Sequence, residues 1–172
     1  MTAVSDQPYA VRRALPRDVR GIRDLVDPYA QQRILLAKEL VGYYEAVQEF
    51  AVAEDATGAL IGCGALHVLW ADLAEVRTLA VHANWRGHGV GHALLRELLD
   101  RARELGLQRV FCLTFEVDFF ARHGFRAIAG TPVEGDVYAE LLRSHDDGVA
   151  EFLDLARVKP NTLGNTRMLL EL

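Results

Sequence analysis

The chain has 172 residues, about one domain's worth. It carries 19 Lys and Arg against 24 Asp and Glu, a formal charge of −5, and 51% of its residues are hydrophobic. That is apolar material for one sizeable core, and the mildly acidic balance argues against a nucleic-acid or anionic-membrane surface, since either wants a basic face. No stretch approaches the roughly 18 apolar residues of a membrane span, and the N-terminus lacks a basic segment followed by an apolar one, so the expected location is the cytoplasm. Cys63 and Cys112 sit inside apolar runs without CxxC or Cys/His spacing, and read as small buried hydrophobes, not as a disulfide or a metal site.

Tyr9 to Leu15 predicts a first strand. Pro16 and Asp18 supply helix-start signals for a helix through about Tyr29, and Leu35 to Val47 predicts a second amphipathic helix. Gln48 to Glu54 alternates as a strand, Asp55-Ala56-Thr57-Gly58 reads as a tight turn, and the apolar run Ala59 to Trp70 completes a hairpin. Ala74 to Val81 predicts a further strand, with Glu75, Arg77, Leu79 and Val81 on one face and Val76, Thr78 and Ala80 on the other. The loop His82 to Arg86 and a glycine-rich turn lead into a long helix. Val90, Leu94, Leu98, Ala102 and Leu105 recur on it at three- to four-residue spacing, and Gly106 closes it. Arg109 to Thr114 predicts a strand, Phe119 to His123 a short helix and Phe125 to Ile128 a strand. Helical pieces at Val137 to Leu142 and Gly148 to Leu155 precede a final strand, Thr166 to Glu171. The expected fold class is α+β (mixed α/β), one continuous domain over 1–172 in three layers. Its sheet is mixed and mostly antiparallel, with helices on both faces and one β-loop-α-β crossover in the middle.

Arg86-Gly87-His88-Gly89-Val90-Gly91 lies between a strand and a helix start, where free backbone N–H groups and the positive end of a helix dipole face a ligand. Glycines let the backbone approach an anion, and Arg86 adds a positive charge. A nucleotide P-loop is excluded because no Lys follows the glycines, and the dinucleotide GxGxxG fingerprint fails because its third glycine falls on His92. The residues alone leave two readings open: a helix-entry loop with glycines for geometry, or a pyrophosphate site.

Arg86-x-x-Gly89-x-Gly91 matches the (Gln/Arg)-x-x-Gly-x-(Gly/Ala) acyl-CoA signature of the GNAT-type N-acetyltransferases. Leu79-Ala80-Val81 precedes it at the proper distance, and Phe119-Phe120-Ala121-Arg122-His123-Gly124-Phe125 resembles that family's FYxxxGF segment. Further segments resemble the amino-acid N-acetyltransferases of arginine biosynthesis, the short actinobacterial N-acetylglutamate synthases in particular. These are Ile34 to Lys38, Tyr44 to Phe50, Gly62 to His67, Ala74 to Arg77, Arg109 to Phe115 and Leu163 to Leu170. The resemblance implies a single GNAT-like N-acetyltransferase domain without an amino-acid-kinase-like regulatory domain. It also implies acetyl-CoA as co-substrate, no metal, and a small amino-acid substrate; the oligomeric state, a homodimer among the options, stays open.

The same resemblance implies direct attack of a free amine on the acetyl-CoA thioester. An α-ammonium must first lose a proton, and Glu75 is the candidate base, acting directly or through a water. A plain ion pair of Glu75 with Arg77 is the competing reading. The Leu79 N–H is the expected oxyanion donor, with Ala80 beside it and Val81 pairing the pantetheine amide as an added strand would. Arg86, Gly87, His88, Gly89, Val90 and Gly91 are expected to hold the pyrophosphate; Phe120 or Arg122 is a candidate to touch pantetheine or adenine, with core packing the commoner reading of an aromatic pair. Phe119 and Phe120 stand where many members carry a tyrosine acid, which puts such an acid in doubt; Thr114 is a candidate to assist the leaving sulfur, ahead of Cys112. For an acidic amino acid the candidate binding residues are Lys38, His67, Arg77, Thr166 and Arg167. The implied reaction is acetylation of L-glutamate, with L-glutamine as a possible acceptor. Two alternatives stand beside it: the same fold acting on a polyamine, antibiotic or protein N-terminus, and a non-catalytic acyl-CoA sensor.

Overall fold

The computed structural model describes residues 7–36, 38–155 and 164–172. Ala37 and Leu163 of the resembled segments, and residues 1–6, lie outside that description. Strand β1 (Tyr9–Arg13) turns through a 3-10 segment, Pro16–Asp18, into helix α1 (Val19–Gln31). Asp18 makes the corner: its buried carboxylate accepts the Leu15 N–H at 2.8 Å and pairs with Arg12 at 2.7 Å, so the charge goes inside only with its partners. A short α2 (Leu40–Glu45) precedes β2 (Phe50–Asp55), β3 (Leu60–Trp70) and β4 (Leu73–Val81). Helix α3 (Val90–Glu104) then leads to β5 (Arg109–Thr114), α4 (Val117–Ala121), β6 (Arg126–Ala127), α5 (Gly135–Leu141), α6 (Asp147–Phe152) and β7 (Thr166–Glu171).

The strands form one sheet in the order β1-β2-β3-β4-β5-β7-β6, antiparallel except for the β4–β5 pair. Parallel neighbours need a long crossover, and α3 supplies it. The expected α+β class, with helices on both faces of a mostly antiparallel sheet, is the observed one. Strand β2 shows how both faces are covered: Phe50 and Val52 join Ile22, Val26 and Tyr43 of α1 and α2, while Ala51 and Ala53 join Leu94 and Leu98 of α3. Small residues beneath α3 let its leucine stripe lie close to the sheet. Leu94, Leu95 and Leu98 are fully buried, each contributing about 2 kcal/mol of transfer free energy.

Helices α5 and α6 pack on Leu73, Phe111 and Leu169, over the same sheet face as α1 and α2 but at its β5–β7 end. Between these two helix pairs one face of β4 stays open, and the cavity described below lies there.

The structure corrects several sequence expectations. The helix expected from Leu35 to Val47 is confined to Leu40–Glu45, where Glu39 with extended backbone starts it; Leu35, Leu36 and Lys38 line the cavity instead. Leu105 is 48% exposed, because the helix ends in a Schellman turn: the Leu107 N–H bonds to the Ala102 carbonyl at 3.0 Å, and Leu107 takes the buried place. Strand β1 stops at Arg13, α4 begins two residues before Phe119, and β6 is two residues long. Strands β5 and β7 have the predicted bounds.

Candidate active site

The expected face-sharing along β4 fails at one residue. Cys63 pairs with Ala80 and Ala65 with Arg77, so Thr78 and Leu79 both oppose Gly64 in a β-bulge, with Thr78 at φ +57°. Gly64 permits this: a Cβ there would lie 2.9 Å from the Leu79 side chain. The extra residue reverses the alternation. Val76, Leu79 and Val81 face α3, whereas Glu75, Arg77 and Ala80 face the α1 side, so Glu75 and Arg77 are opposite Leu79 and Val81 rather than beside them.

A second irregularity lies on the other edge of β4. Its parallel pairing with β5 covers only Leu73, Ala74 and Glu75, and both strands continue without pairing to each other, β4 to Val81 and β5 to Thr114. Among the described residues, the β5 side of β4 from Val76 onward is a strand edge onto which an amide-bearing chain can add as a further strand.

The edge ends at the glycine turn. Gly87 and Gly89 adopt φ +78° and +81°, and Gly89 is the N-cap of α3 without a side-chain cap, so the first-turn N–H groups of Val90, Gly91 and His92 are directed out of the helix end. Tyr29 ties this turn to β4: its hydroxyl donates to the Val81 carbonyl at 2.5 Å and accepts from Arg86 Nη2 at 2.8 Å, with the guanidinium 5.3 Å from its ring centre. Backbone donors, a helix N-terminus and one guanidinium together suit a pyrophosphate, and the adjoining strand edge suits the amide-containing arm of acetyl-CoA.

Phe120 belongs to the core, 5% exposed, and packs on Phe125. The ring at the turn is Phe119, which lies against Gly91 and His92; His92 and His123, 2.7 Å apart between ring nitrogens, further join α3 to the end of α4.

On the α1 side of β4 lies a cavity of about 290 Å³, lined by residues from the end of α1 and the loop after it, from β4, and from α6. Glu75, 5% exposed, sits in its wall and receives Arg77 Nη2 at 3.1 Å. Burial pushes its carboxyl above the usual carboxylate range against the pull of Arg77, which moves a base toward neutral pH. The ion pair proposed as the competing reading is therefore present, and it leaves the carboxyl a stronger proton acceptor than a free glutamate. Arg77 Nη1 also meets Asp146 at 2.8 Å, and Lys38 Nζ lies 3.7 Å from the same carboxylate. Burial pushes Asp146 up, but Arg77, the Val149 N–H and Lys38 outweigh it and hold its pKa at about 2.

Of the expected substrate residues, Lys38 and Arg77 line this cavity. His67 is the cross-strand partner of Glu75 on the same face and is held by Glu49 outside the lining. Thr166 pairs with Thr114 across β7 and β5. Arg167 is withdrawn: its guanidinium donates to the carbonyls of Gly130, Glu151 and Phe152 and lies over the Phe111 ring, so it fixes α6 rather than lining the cavity. Thr114 is buried and its hydroxyl accepts the Glu116 N–H at 2.8 Å, at the open end of β5. Burial raises the Cys63 thiol to about 12 and pushes Cys112 up as well, so neither is a ready nucleophile.

Sequence reasoning missed Tyr29, Arg33, Asp146 and Glu151. Asp146 carried a local signal, an Asp one residue before a helix start, and its carboxylate does cap α6 through the Val149 N–H at 2.9 Å. Its pairing with Arg77, 69 residues away, has no sequence signature.

The acetyltransferase (GNAT) family matches residues 19–125. An amino-acid acetyltransferase of Mycobacterium tuberculosis is 63% identical over 164 residues, 94% of each chain. The crystal structure of Rv2747 from M. tuberculosis in complex with CoA and NLQ superposes with a TM-score of 0.92 at 62% identity, covering 95% of this chain and 99% of that one. N-acetylglutamate synthase from Neisseria gonorrhoeae, complexed with coenzyme A and N-acetyl-glutamate, gives a TM-score of 0.75 at 25% identity; 95% of this chain matches 35% of that longer one. The match over residues 19–125 and the 63% identical relative show that the chain belongs to the GNAT acetyltransferase family.

Proposed function

We propose that this enzyme transfers the acetyl group of acetyl-CoA to the α-amine of L-glutamate, with L-glutamine as a second acceptor, as the entry step of arginine biosynthesis. The observation that carries the reading is the buried Glu75 carboxyl in the wall of a cavity beside the open edge of β4. The base stands on the α1-side face of β4, next to the strand's open edge along which the thioester arm is proposed to lie. Arg33, Lys38 and Arg77 around the cavity give a small dicarboxylate its counter-charges. The names of the M. tuberculosis and N. gonorrhoeae relatives support the same acceptor class.

In this mechanism Glu75 takes one proton from the α-ammonium, directly or through a water. The freed amine attacks the thioester carbon, and the Leu79 N–H receives the developing oxyanion. The C–N bond forms, the C–S bond breaks, and the second proton of the attacking nitrogen passes to the departing thiolate, so that one amide and one thiol leave. Thr114, at the end of β5, donates to the departing sulfur.

Incubation with acetyl-CoA and each common amino acid, following free thiol, tests the proposal. Glutamate or glutamine is expected to release thiol well above the hydrolysis rate, with N-acetyl product by mass spectrometry. Release with neither, but with a polyamine or a peptide N-terminus, would transfer the assignment to that acceptor.

A further inference from the structure

The segment beyond the family match at residue 125 contributes a second carboxylate to the cavity. Glu151 lies on α6, whose position Arg167 fixes by bonding the carbonyls of Glu151 and Phe152. Its Oε1 is buried and receives no hydrogen bond among the described residues. Such an atom costs free energy unless a ligand donor reaches it, and the chemistry of the cavity brings one. An amino acid arrives as an ammonium with three N–H donors, more than Glu75 can meet while one of its oxygens receives Arg77.

We infer that Glu151 is the ammonium-binding residue of this enzyme, its free Oε1 accepting an N–H of the acceptor's α-amino group and presenting that nitrogen to Glu75. The inference rests on the amino-acid reading above and adds to it a second carboxylate, used for binding where Glu75 is used for proton removal. The surrounding charges fit a counter-ion for a cation. Glu75, Asp146 and Asp147 act on Glu151 as like charges, Arg77 opposes them, and burial dominates, so its pKa is pushed up to about 7. An ammonium brought between Glu75 and Glu151 relieves the repulsion between them, which a neutral or anionic ligand would not. Lys38 and Arg33, also in the cavity lining, remain for the acceptor's carboxylates.

The test is steady-state kinetics of Glu151→Gln and Glu151→Asp with the better of glutamate and glutamine, together with binding of glutarate, which has the carboxylates but no amine. For Glu151→Gln, the KM of the amino acid is expected to rise about tenfold or more, while the KM of acetyl-CoA and the affinity for glutarate stay within twofold. Glu151→Asp should recover part of the loss. In the wild type the amino-acid KM should increase as pH falls through about 7, and this dependence should flatten in Glu151→Gln. An unchanged amino-acid KM and pH dependence in a variant that still turns over glutamate or glutamine overturns the role of Glu151 and leaves the functional reading intact. Equal losses for amino acid and glutarate also overturn it, because they show a general disturbance of the cavity. Failure of the wild type to acetylate any amino acid overturns the functional reading, and this inference with it.

Discussion

The two sides of β4 are built by opposite means. The side proposed for acetyl-CoA is made of backbone: a strand edge unpaired among the described residues, two glycines with positive φ and the first N–H groups of α3, with Arg86 and Tyr29 as a clasp. The side proposed for the acceptor is made of side chains drawn from distant parts of the sequence: Arg33 and Lys38 after α1, Glu75 and Arg77 on β4, Asp146 and Glu151 near or on α6. Backbone recognition suits a co-substrate shared by many enzymes, because it depends on chain path. Side-chain recognition suits an acceptor that distinguishes them. The bulge at Thr78 contributes to the division: Glu75 and Arg77 face the cavity, while the Leu79 and Val81 side chains pack toward α3 and leave only their backbone at the strand edge.

If the division is right, substitutions on one side should leave the other's kinetic constants alone. The largest effect is expected for Glu75→Gln, which removes the base: kcat should fall about 10²- to 10⁴-fold with the KM of acetyl-CoA within twofold. A parallel rise in that KM would show that the two sides are not separate.

A stability effect comes next. The Glu151 carboxyl is raised from an ordinary 4.5 to about 7, so folding disfavours its charged form. The cost is absent below about pH 4.5, grows as pH rises through 7 and is complete above it, on the order of 2 kcal/mol. Glu151→Gln should therefore raise Tm by about 4–8 °C at pH 8 and leave it unchanged at pH 4.5, as followed by thermal unfolding monitored by circular dichroism. An equal shift at both pH values would show that the carboxyl's charge is not its source.

On the acetyl-CoA side, Gly89→Ala places a Cβ on a residue at φ +81°, a strain of about 1–2 kcal/mol at the helix entry. The KM of acetyl-CoA should rise about tenfold, while the KM of the acceptor is unaffected. Tyr29→Phe removes the hydroxyl that joins Val81 to Arg86, a smaller loss worth about 1 kcal/mol, so the same KM should rise about threefold to fivefold. No change in either variant would place the pyrophosphate elsewhere.

The same division explains what could be read from the sequence. The glycine turn was legible because a helix entry with αL glycines is a local, contiguous requirement, and so were β5, β7 and the α3 stripe, which rest on periodicity. Glu75 became a candidate through its resemblance to a family position, and the structure puts it in the cavity wall. The side assigned to it was wrong, because strict alternation was assumed and one extra residue opposite Gly64 is invisible to a period-two pattern. Arg167 failed as a substrate residue for another reason. A guanidinium on a strand is free to meet either a ligand or the carbonyls of a neighbouring helix end, and only the tertiary packing of α6 decides. Glu151 and Asp146 lie in the weakly patterned last forty residues, where short helices of six or seven residues leave little periodic signal.

The most direct measurement is the pH dependence of kcat for wild type and Glu75→Gln with the preferred amino acid at saturating acetyl-CoA. In the wild type kcat should reach a plateau above the titration of Glu75. In Glu75→Gln kcat should be lower throughout and climb about tenfold per pH unit toward the pKa of the amine, with the KM of acetyl-CoA unchanged. A Glu75→Gln enzyme that keeps the wild-type plateau and a kcat within threefold would contradict the assignment of Glu75 as the base and, with it, the division of labour across β4.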